Sequence, residues 1–400
     1  MRKIPADRWL EIDIDAIIHN LRQVRSRLHE EVRLIVVVKA DAYGHGAFTT
    51  ARILYQNGVD FFGVSFLDEA LALRRAGIRT SIMLFTPLVT KKQVTRAVAN
   101  RITLTITSPY DCRLLDLVTR RINLRTTVHL KVDTGLGRFG LNREELLEVC
   151  QTLKTNPCIY IEGIYTHMAE AAANNPAYTK KQFSRFLSLI NELKGAGFTI
   201  PICHCANSAV FLKYPEMYLN AVRIGTLISG ELPAGKFNNK LDLIDPYKYK
   251  SRVISLRTLD QGSFLGYNRT ARLRQQAQVA VIPVGYNHGL ALQVANRPAG
   301  WLDFLKVLAK SILAYFNLSR FTLRVKINGC EYPIRGKVFM QMALVEIPLK
   351  AQVNIGDEVE VPVQKTVAIS SIDRVYTKSA KASKIEEGQR NLYGYRRIVK

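Results

Sequence analysis

Long apolar runs are absent from this 400-residue chain. No stretch approaches the length needed to span a bilayer, and Met1 to Leu10 carries charges without the apolar segment of an export signal. These absences lead to the expectation of a cytoplasmic protein with no membrane partner. Low-complexity repeats are also missing. Cysteine is sparse: Cys112, Cys150, Cys158, Cys203, Cys205 and Cys330 lack the paired spacing of a zinc site. The nearest approach is Cys203-His204-Cys205, where strand alternation would set two thiols on one face. No second cluster completes a four-ligand site, so core packing is favoured and no metal is expected. Free thiols fit a reducing compartment.

Acidic residues are scarce as well. The chain sets 33 Asp and Glu against 57 Lys and Arg, a net charge of +24. Such a field attracts nucleic acid and anionic surfaces nonspecifically. The excess is spread along the sequence: residues 1–240 hold 32 basic and 21 acidic groups, and residues 241–400 hold 25 and 12. A dedicated nucleic-acid binder concentrates charge among aromatics. Only the tail does so, with eight basic and two acidic residues from Arg374 to Lys400 beside Tyr376, Tyr393 and Tyr395. A spread excess is a solvated surface, which argues against a nucleic-acid partner.

What the chain does contain is the composition of an ordinary globular protein, 48% apolar and 22% charged, at a length that predicts two domains. Short apolar or β-branched runs recur at Leu34–Val38, Phe61–Ser65, Ser81–Phe85, Ile102–Ile106, Thr127–Val132, Ile159–Thr166, Ile200–Cys203 and Ala221–Ile224. Between most of them lie segments with helical spacing, such as Asp68–Gly77 and Gln182–Gly195, the latter with a stripe of Phe183, Phe186, Leu187 and Ile190. Eight strands alternating with helices predict an α/β fold, a (β/α)₈ TIM barrel over residues 11–240, whose active site collects side chains from the C-terminal ends of the strands. Residues 250–285 and 321–376 are rich in Val, Ile and Thr, with turn signals at Ile327-Asn328-Gly329 and Ile355-Gly356-Asp357. They predict a β-rich C-terminal domain over 241–400, joined by residues 1–10 because the strand Arg8–Ile12 precedes the first helix. Trp301–Phe316 is expected as a helix or insert within it.

The most informative string is Ile35-Val-Val-Val-Lys39-Ala-Asp-Ala-Tyr43-Gly-His-Gly46. A buried strand delivers Lys39 to its C-terminal edge, where low dielectric disfavours the ammonium and frees a nucleophilic amine. That is the requirement of a Schiff-base lysine. A turn follows, with the Tyr43 phenol placed to reach a phosphate. A second strand end, Leu130-Lys131-Val-Asp-Thr-Gly-Leu-Gly-Arg138-Phe-Gly140, opens into a glycine-bearing loop whose arginine fork suits phenolate or carboxylate oxygens. Gly163-Ile-Tyr-Thr-His167 ends another strand. Ala206-Asn207-Ser208 and Val222-Arg223-Ile-Gly225-Thr226 end two more, and the Ser208 hydroxyl with the backbone N–H groups at Gly225 and Thr226 can satisfy phosphate oxygens.

These strings together resemble the alanine racemase family, pyridoxal 5'-phosphate enzymes that invert the α-carbon of amino acids, and the resemblance covers nearly the whole chain. It implies that Lys39 holds the cofactor and exchanges the α-proton on one face. It implies that Arg138 contacts the cofactor's phenolic oxygen and the substrate carboxylate, that Lys131 is a candidate for carbamylation to pair with Arg138, and that Arg223 faces the pyridine nitrogen. An arginine cannot readily give up its proton, so the ring nitrogen stays unprotonated and reversible α-proton exchange is favoured over side reactions. His167 is implied as the hydrogen-bonding partner of the second acid/base, Tyr267, in Gly262-Ser-Phe-Leu-Gly-Tyr267, which enters from the other subunit of a homodimer. Ile282-Pro-Val-Gly-Tyr286 matches an element near the active-site entrance, and the Met340 N–H is implied to bind substrate carboxylate.

The pattern is not matched everywhere. Gln341 stands where the family has an aspartate, Leu292 where it has an entrance arginine, and Ala172 where that arginine's acidic partner is expected. The C-terminal element is reduced to Tyr393-Gly-Tyr395-Arg-Arg397, and either tyrosine could fill the gate and phosphate role. Paired loss at the entrance reads as a remodelled corridor. The expected function is interconversion of L- and D-alanine, with two alternatives: a racemase of a different or broader range (serine, lysine, arginine), or a pyridoxal-phosphate or nucleic-acid binder without catalysis.

Overall fold

The computed structural model describes residues 7–237, 241–292, 300–315, 322–365, 372–378, 386–388 and 397–399. The chain divides into two compact units, Ile14–Pro246 on one side and Met1–Asp13 with Tyr247–Lys400 on the other.

The first unit is the (β/α)₈ barrel. After β1 (Arg8–Asp13), which belongs to the other unit, come β2 (Arg33–Val37), β3 (Phe61–Val64), β4 (Ser81–Leu84), β5 (Leu104–Ile106), β6 (Thr126–Lys131), β7 (Ile159–Tyr165), β8 (Ile202–His204) and β9 (Ala221–Ile224). All ladders among β2 to β9 are parallel, in two four-stranded sheets ordered β4-β3-β2-β9 and β5-β6-β7-β8. Single parallel bridges, Met83↔Thr103 and Ala206↔Val222, join the sheets into a closed ring. Strands such as β3 and β9 are buried along their whole length and read as continuous apolar or nearly apolar runs, while β7 is half-exposed over its first residues and carries Glu162. Their inward side chains include an apolar layer of Ile35, Phe61, Met83, Ile202 and Ala221, with Tyr165 packed on it.

Helices start where short polar side chains can occupy orphan N–H groups. Ser108 accepts from the Asp111 N–H ahead of Pro109–Ile122, and Asn142 and Glu145 cap each other's backbone at 2.9 Å ahead of Arg143–Lys154. Helix Leu67–Arg75 lies where the sequence predicts one. Helix Ala177–Gly195 begins five residues earlier than expected, and its fully buried face is Thr179, Gln182, Phe186 and Leu193, with Phe183 only half-buried. Apolar periodicity missed Gln182 because its burial rests on hydrogen bonding: its Oε1 accepts from the Ala169 N–H at 2.9 Å.

The second unit is β-rich. Strand β1 pairs antiparallel with β10 (Tyr247–Arg252) and parallel with Arg374–Thr377, so the N-terminal segment is sewn into this sheet. Further antiparallel ladders link Ser255–Leu259, Ala277–Ile282, Ala343–Ile347, Cys330–Arg335, Arg324–Ile327 and Glu358–Val361. The expected segment at 301 is the helix Trp301–Tyr315. Tyr393 and Tyr395 lie outside the described residues.

Candidate active site

A cavity of about 540 Å³ opens at the C-terminal ends of the barrel strands. Lys39, Tyr43, Lys131, Arg138, His167, Ser208, Arg223, Gly225 and Thr226 all line it. The geometry thus brings together nine of the eleven residues singled out from sequence. Tyr267 and Met340 belong to the β-rich unit, where both are exposed and Tyr267 packs edge-on against Phe339 with ring centroids 5.0 Å apart. The cavity lining holds four cationic side chains and no carboxylate. Such a lining suits an anionic ligand.

Each element aims its side chain for a local reason. Beyond Lys39 the backbone turns left-handed for four consecutive non-glycine residues, Ala40, Asp41, Ala42 and Tyr43, with φ between 49° and 55°. The turn is closed by Ala42 N–H to Val38 O at 3.0 Å and Gly44 N–H to Ala40 O at 3.1 Å, and Asp41 accepts from the Ala47 N–H at 2.7 Å. Glu69 pins it from outside, accepting from the Ala40 N–H at 2.6 Å and from the Ser65 and Phe66 N–H groups at 2.9 Å. Tyr43 is thereby laid against Gly225. A Cβ at Gly225 would fall 2.2 Å from the Tyr43 hydroxyl, so glycine is needed for the phenol to sit there. Across the cavity, Asp133 gathers the Gly135, Leu136 and Gly137 N–H groups at 2.8–2.9 Å and so shapes the loop that carries Arg138.

Burial and mutual repulsion set the protonation states. Lys39 is pushed below its ordinary value by burial and then by Arg138, with Glu69 opposing. Lys131 is pushed down to about 7 by burial, Arg138 and Arg223; its Nζ has no hydrogen-bond partner and sits 3.7 Å from the Phe139 ring centroid. His167 is pushed down to about 3 by burial and by the surrounding cations, so it is neutral. Its Nδ1 lies 3.3 Å from Arg223 Nη2, and because a guanidinium only donates, Nδ1 accepts and Nε2 keeps the proton. Tyr43 is raised to about 12 by burial and nearby carboxylates, so its phenol remains a donor. Thr226 Oγ1 is buried with no partner.

Sequence reasoning missed Glu69 and Tyr165. Glu69 was hidden inside an ordinary helix pattern; its signal is its position at the third residue of a helix, where a carboxylate reaches back to backbone N–H groups. Tyr165 stacks on His204 at 4.9 Å, lies under the Arg223 guanidinium and lines the cavity. His204 points into the barrel between two outward thiols. Burial raises Cys203 to about 11 and Cys205 to about 12, so both stay protonated, and no group of metal-ligating side chains occurs among the described residues.

Fold and cavity define a barrel protein with a deprotonation-prone lysine and three further cationic side chains lining a cavity at the strand ends, and with a β-rich companion unit. Residues 12–233 match the alanine racemase N-terminal domain and residues 247–384 the alanine racemase C-terminal domain. The chain belongs to the alanine racemase family. It is 33% identical over 379 residues to alanine racemase 1 of Caldanaerobacter subterraneus subsp. tengcongensis, covering 92% of this chain and 89% of that protein. It is 32% identical to alanine racemase 1 of Oceanobacillus iheyensis over 85% of this chain and 84% of that protein. Among solved structures, alanine racemase from Clostridium difficile 630 superposes with a TM-score of 0.83 at 26% identity, covering 94% of this chain and 97% of that one.

Proposed function

We propose that the chain interconverts L- and D-alanine with pyridoxal 5'-phosphate held in the barrel cavity, and that it works as a homodimer. The observation that carries this reading is Lys39, a half-buried lysine held toward its neutral form among Lys131, Arg138 and Arg223 with no carboxylate in the lining. The residues present fit the cofactor. Tyr43 and Ser208, with the partnerless Thr226 hydroxyl and the close-packed Gly225, supply donors for a phosphate; Arg223 supplies a donor for a ring nitrogen; Arg138 suits a phenolic oxygen. When bound, the cofactor supplies an electrophilic carbonyl and an electron-withdrawing ring that acidifies the substrate's α-hydrogen.

Lys39 would tether the cofactor through Nζ and, once displaced by the substrate amine, take or return the α-proton at that atom. Tyr267 of the partner subunit would serve the opposite face at its phenolic oxygen. A phenol's ordinary value of about 10 is high for a base at neutral pH, and neutral His167 offers its Nε2–H to a phenolate partner. Arg223 would face the ring nitrogen as a donor that does not give up its own proton, and would so leave that nitrogen unprotonated. Lys131, partnerless and held near neutrality, suits reaction with carbon dioxide to give a carbamate that would face Arg138.

A broader substrate range has its own support. Ala172 offers only a backbone carbonyl, which accepts from Lys213 Nζ at 2.8 Å, and Leu292 is an exposed aliphatic residue, so neither side chain of the expected entrance pair is charged. Removing such a pair lowers the desolvation cost for less polar substrates. Each added methylene in a tight pocket shifts discrimination by only about 1–3 kcal/mol. The purified protein loaded with cofactor and given L-alanine should form D-alanine, with the highest kcat/KM among alanine, serine, lysine and arginine and measurable turnover of serine. A basic amino acid exceeding alanine would replace this reading with the broader one, and no D-enantiomer from any of the four would end both.

A further inference from the structure

Behind Arg223 a line of hydrogen bonds runs away from the cavity through the inside of the barrel. Arg223 Nη1 lies 2.7 Å from His204 Nδ1, His204 Nε2 lies 2.9 Å from His129 Nδ1, and His129 Nε2 lies 3.0 Å from Glu162 Oε2. Arg33, the first residue of β2, sits 3.6 Å beyond Glu162 and also 3.7 Å from Asp60. From this line we propose that Glu162 is a positioning residue for Arg223, acting across the barrel through His204 and His129 as a hydrogen-bond chain with a single direction. The inference rests on the proposed function in that Arg223 is taken to face the cofactor ring.

The direction follows from donor counts alone. A guanidinium has no acceptor, so His204 Nδ1 accepts and its one proton is on Nε2. That N–H must donate to His129 Nδ1, which leaves the His129 proton on Nε2, pointing at a carboxylate. Both rings are therefore neutral and share one tautomer. A second proton on His204 would set a donor against the Arg223 donor. Burial agrees, since both rings are fully enclosed and driven toward the neutral form. Glu162 is held below the ordinary carboxylate range: burial pushes it up, but the His129 hydrogen bond and Arg33 outweigh that push. The chain ends on a negative charge, and each polarised ring passes part of that charge toward the guanidinium.

The backbone is built to admit this chain. The β6–β7 ladder pairs Val128 with Ile161 but His129 with Gly163, so Glu162 is the extra residue of a bulge. Bulges re-aim a side chain, and here the bulge sends a carboxylate to an imidazole inside the barrel. Gly163 completes the accommodation: a Cβ there would lie 2.4 Å from His129 Nδ1. Phe61 closes the His129 ring from the side, its ring meeting the imidazole edge-on at 5.9 Å. A bulge, a glycine and two histidines are four separate features serving one contact.

Two measurements test the chain. In the cofactor-free protein, ¹⁵N spectra of labelled histidine should show His129 and His204 as neutral rings protonated at Nε2 only, and a proton on Nδ1 of either ring overturns the proposal. In the loaded enzyme, Glu162→Gln should lower kcat about tenfold while KM moves by less than about twofold, and Glu162→Asp, which keeps the charge, should recover part of the loss. A Glu162→Gln protein with the parent's melting temperature and full kcat also overturns it. If Glu162→Gln does not fold, the tautomers of the parent and the kcat of Glu162→Asp relative to a charge-free Glu162→Ala decide. If the parent shows no racemase activity while both rings carry the expected tautomer, the functional reading fails and the directed chain stands.

Discussion

Lys131 shows how much a single buried side chain can report. The residue is 2% exposed, its Nζ has no hydrogen-bond partner, and it shares its surroundings with two arginines. Its folded value near 7 lies below the unfolded value near 10.5, so below pH 7 the folded protein carries a buried charge that the unfolded chain solvates freely. Between about pH 7 and 10 the unfolded state binds more protons, and stability gains as pH rises through that window. Lys131→Met removes the charge while keeping much of the volume. In cofactor-free, bicarbonate-free protein it should raise the guanidinium midpoint clearly at pH 6 and much less at pH 9; an equal shift at both would show that the lysine is not held near neutrality. At this scale the sequence disclosed which residues converge on the cavity, because strand ends in a barrel share one rim. It did not disclose Glu162, since its role depends on a bulge that breaks the two-residue alternation on which strand reading relies.

At the scale of elements, the left-handed turn at Ala40–Tyr43 stands apart. Non-glycine residues in this conformation cost roughly 1–2 kcal/mol each, and four occur in succession. The segment is held by its own hydrogen bonds, by Asp41 and by Glu69, so the surroundings over-determine it. Ala40 is exposed within the turn. Ala40→Gly should therefore stabilise the cofactor-free protein by up to about 1 kcal/mol, whereas Ala72→Gly inside helix Leu67–Arg75 should destabilise it by about the same amount. Denaturant midpoints of the two variants give the comparison, and matching losses would show that the turn carries no strain. Sequence pattern located this turn through Gly44 and Gly46 but not its handedness, because alanine has a Cβ and no polar side chain to favour the left-handed region locally. Strands and capped helices were legible for the opposite reason: β-branched runs and Ser108 or Asn142 favour locally what the fold requires.

For the whole molecule, the barrel residues and Tyr267 are contributed by different units of one chain, and the proposed homodimer supplies each cavity with Tyr267 of the partner subunit. Mixing Lys39→Ala and Tyr267→Phe subunits should then restore activity, because a heterodimer assembles one site with both groups and one with neither. Heterodimers that form without regaining activity would rule out the shared site. No helix among the described residues is long and apolar enough to cross a membrane. Length alone leads to the expectation of two domains, since 400 residues exceed what one core comfortably supports. It did not anticipate how the ring closes.

That closure has a mechanical meaning. The wall is two half-shells, each with continuous ladders, and they meet along two lines carrying one bridge apiece. Where the ladder is thinnest, side chains supply the cross-links: Arg223 of β9 donates across one line to the carbonyl oxygens of Thr166, Cys205 and His204 at 2.9, 3.3 and 3.4 Å. Phe85 and Thr86 follow β4 at one line, while Asn207, Ser208 and Arg223 flank the other, and all five line the cavity. A molecule bound to residues from both lines would add a tie between the two half-shells, across the places where the backbone ladder is thinnest.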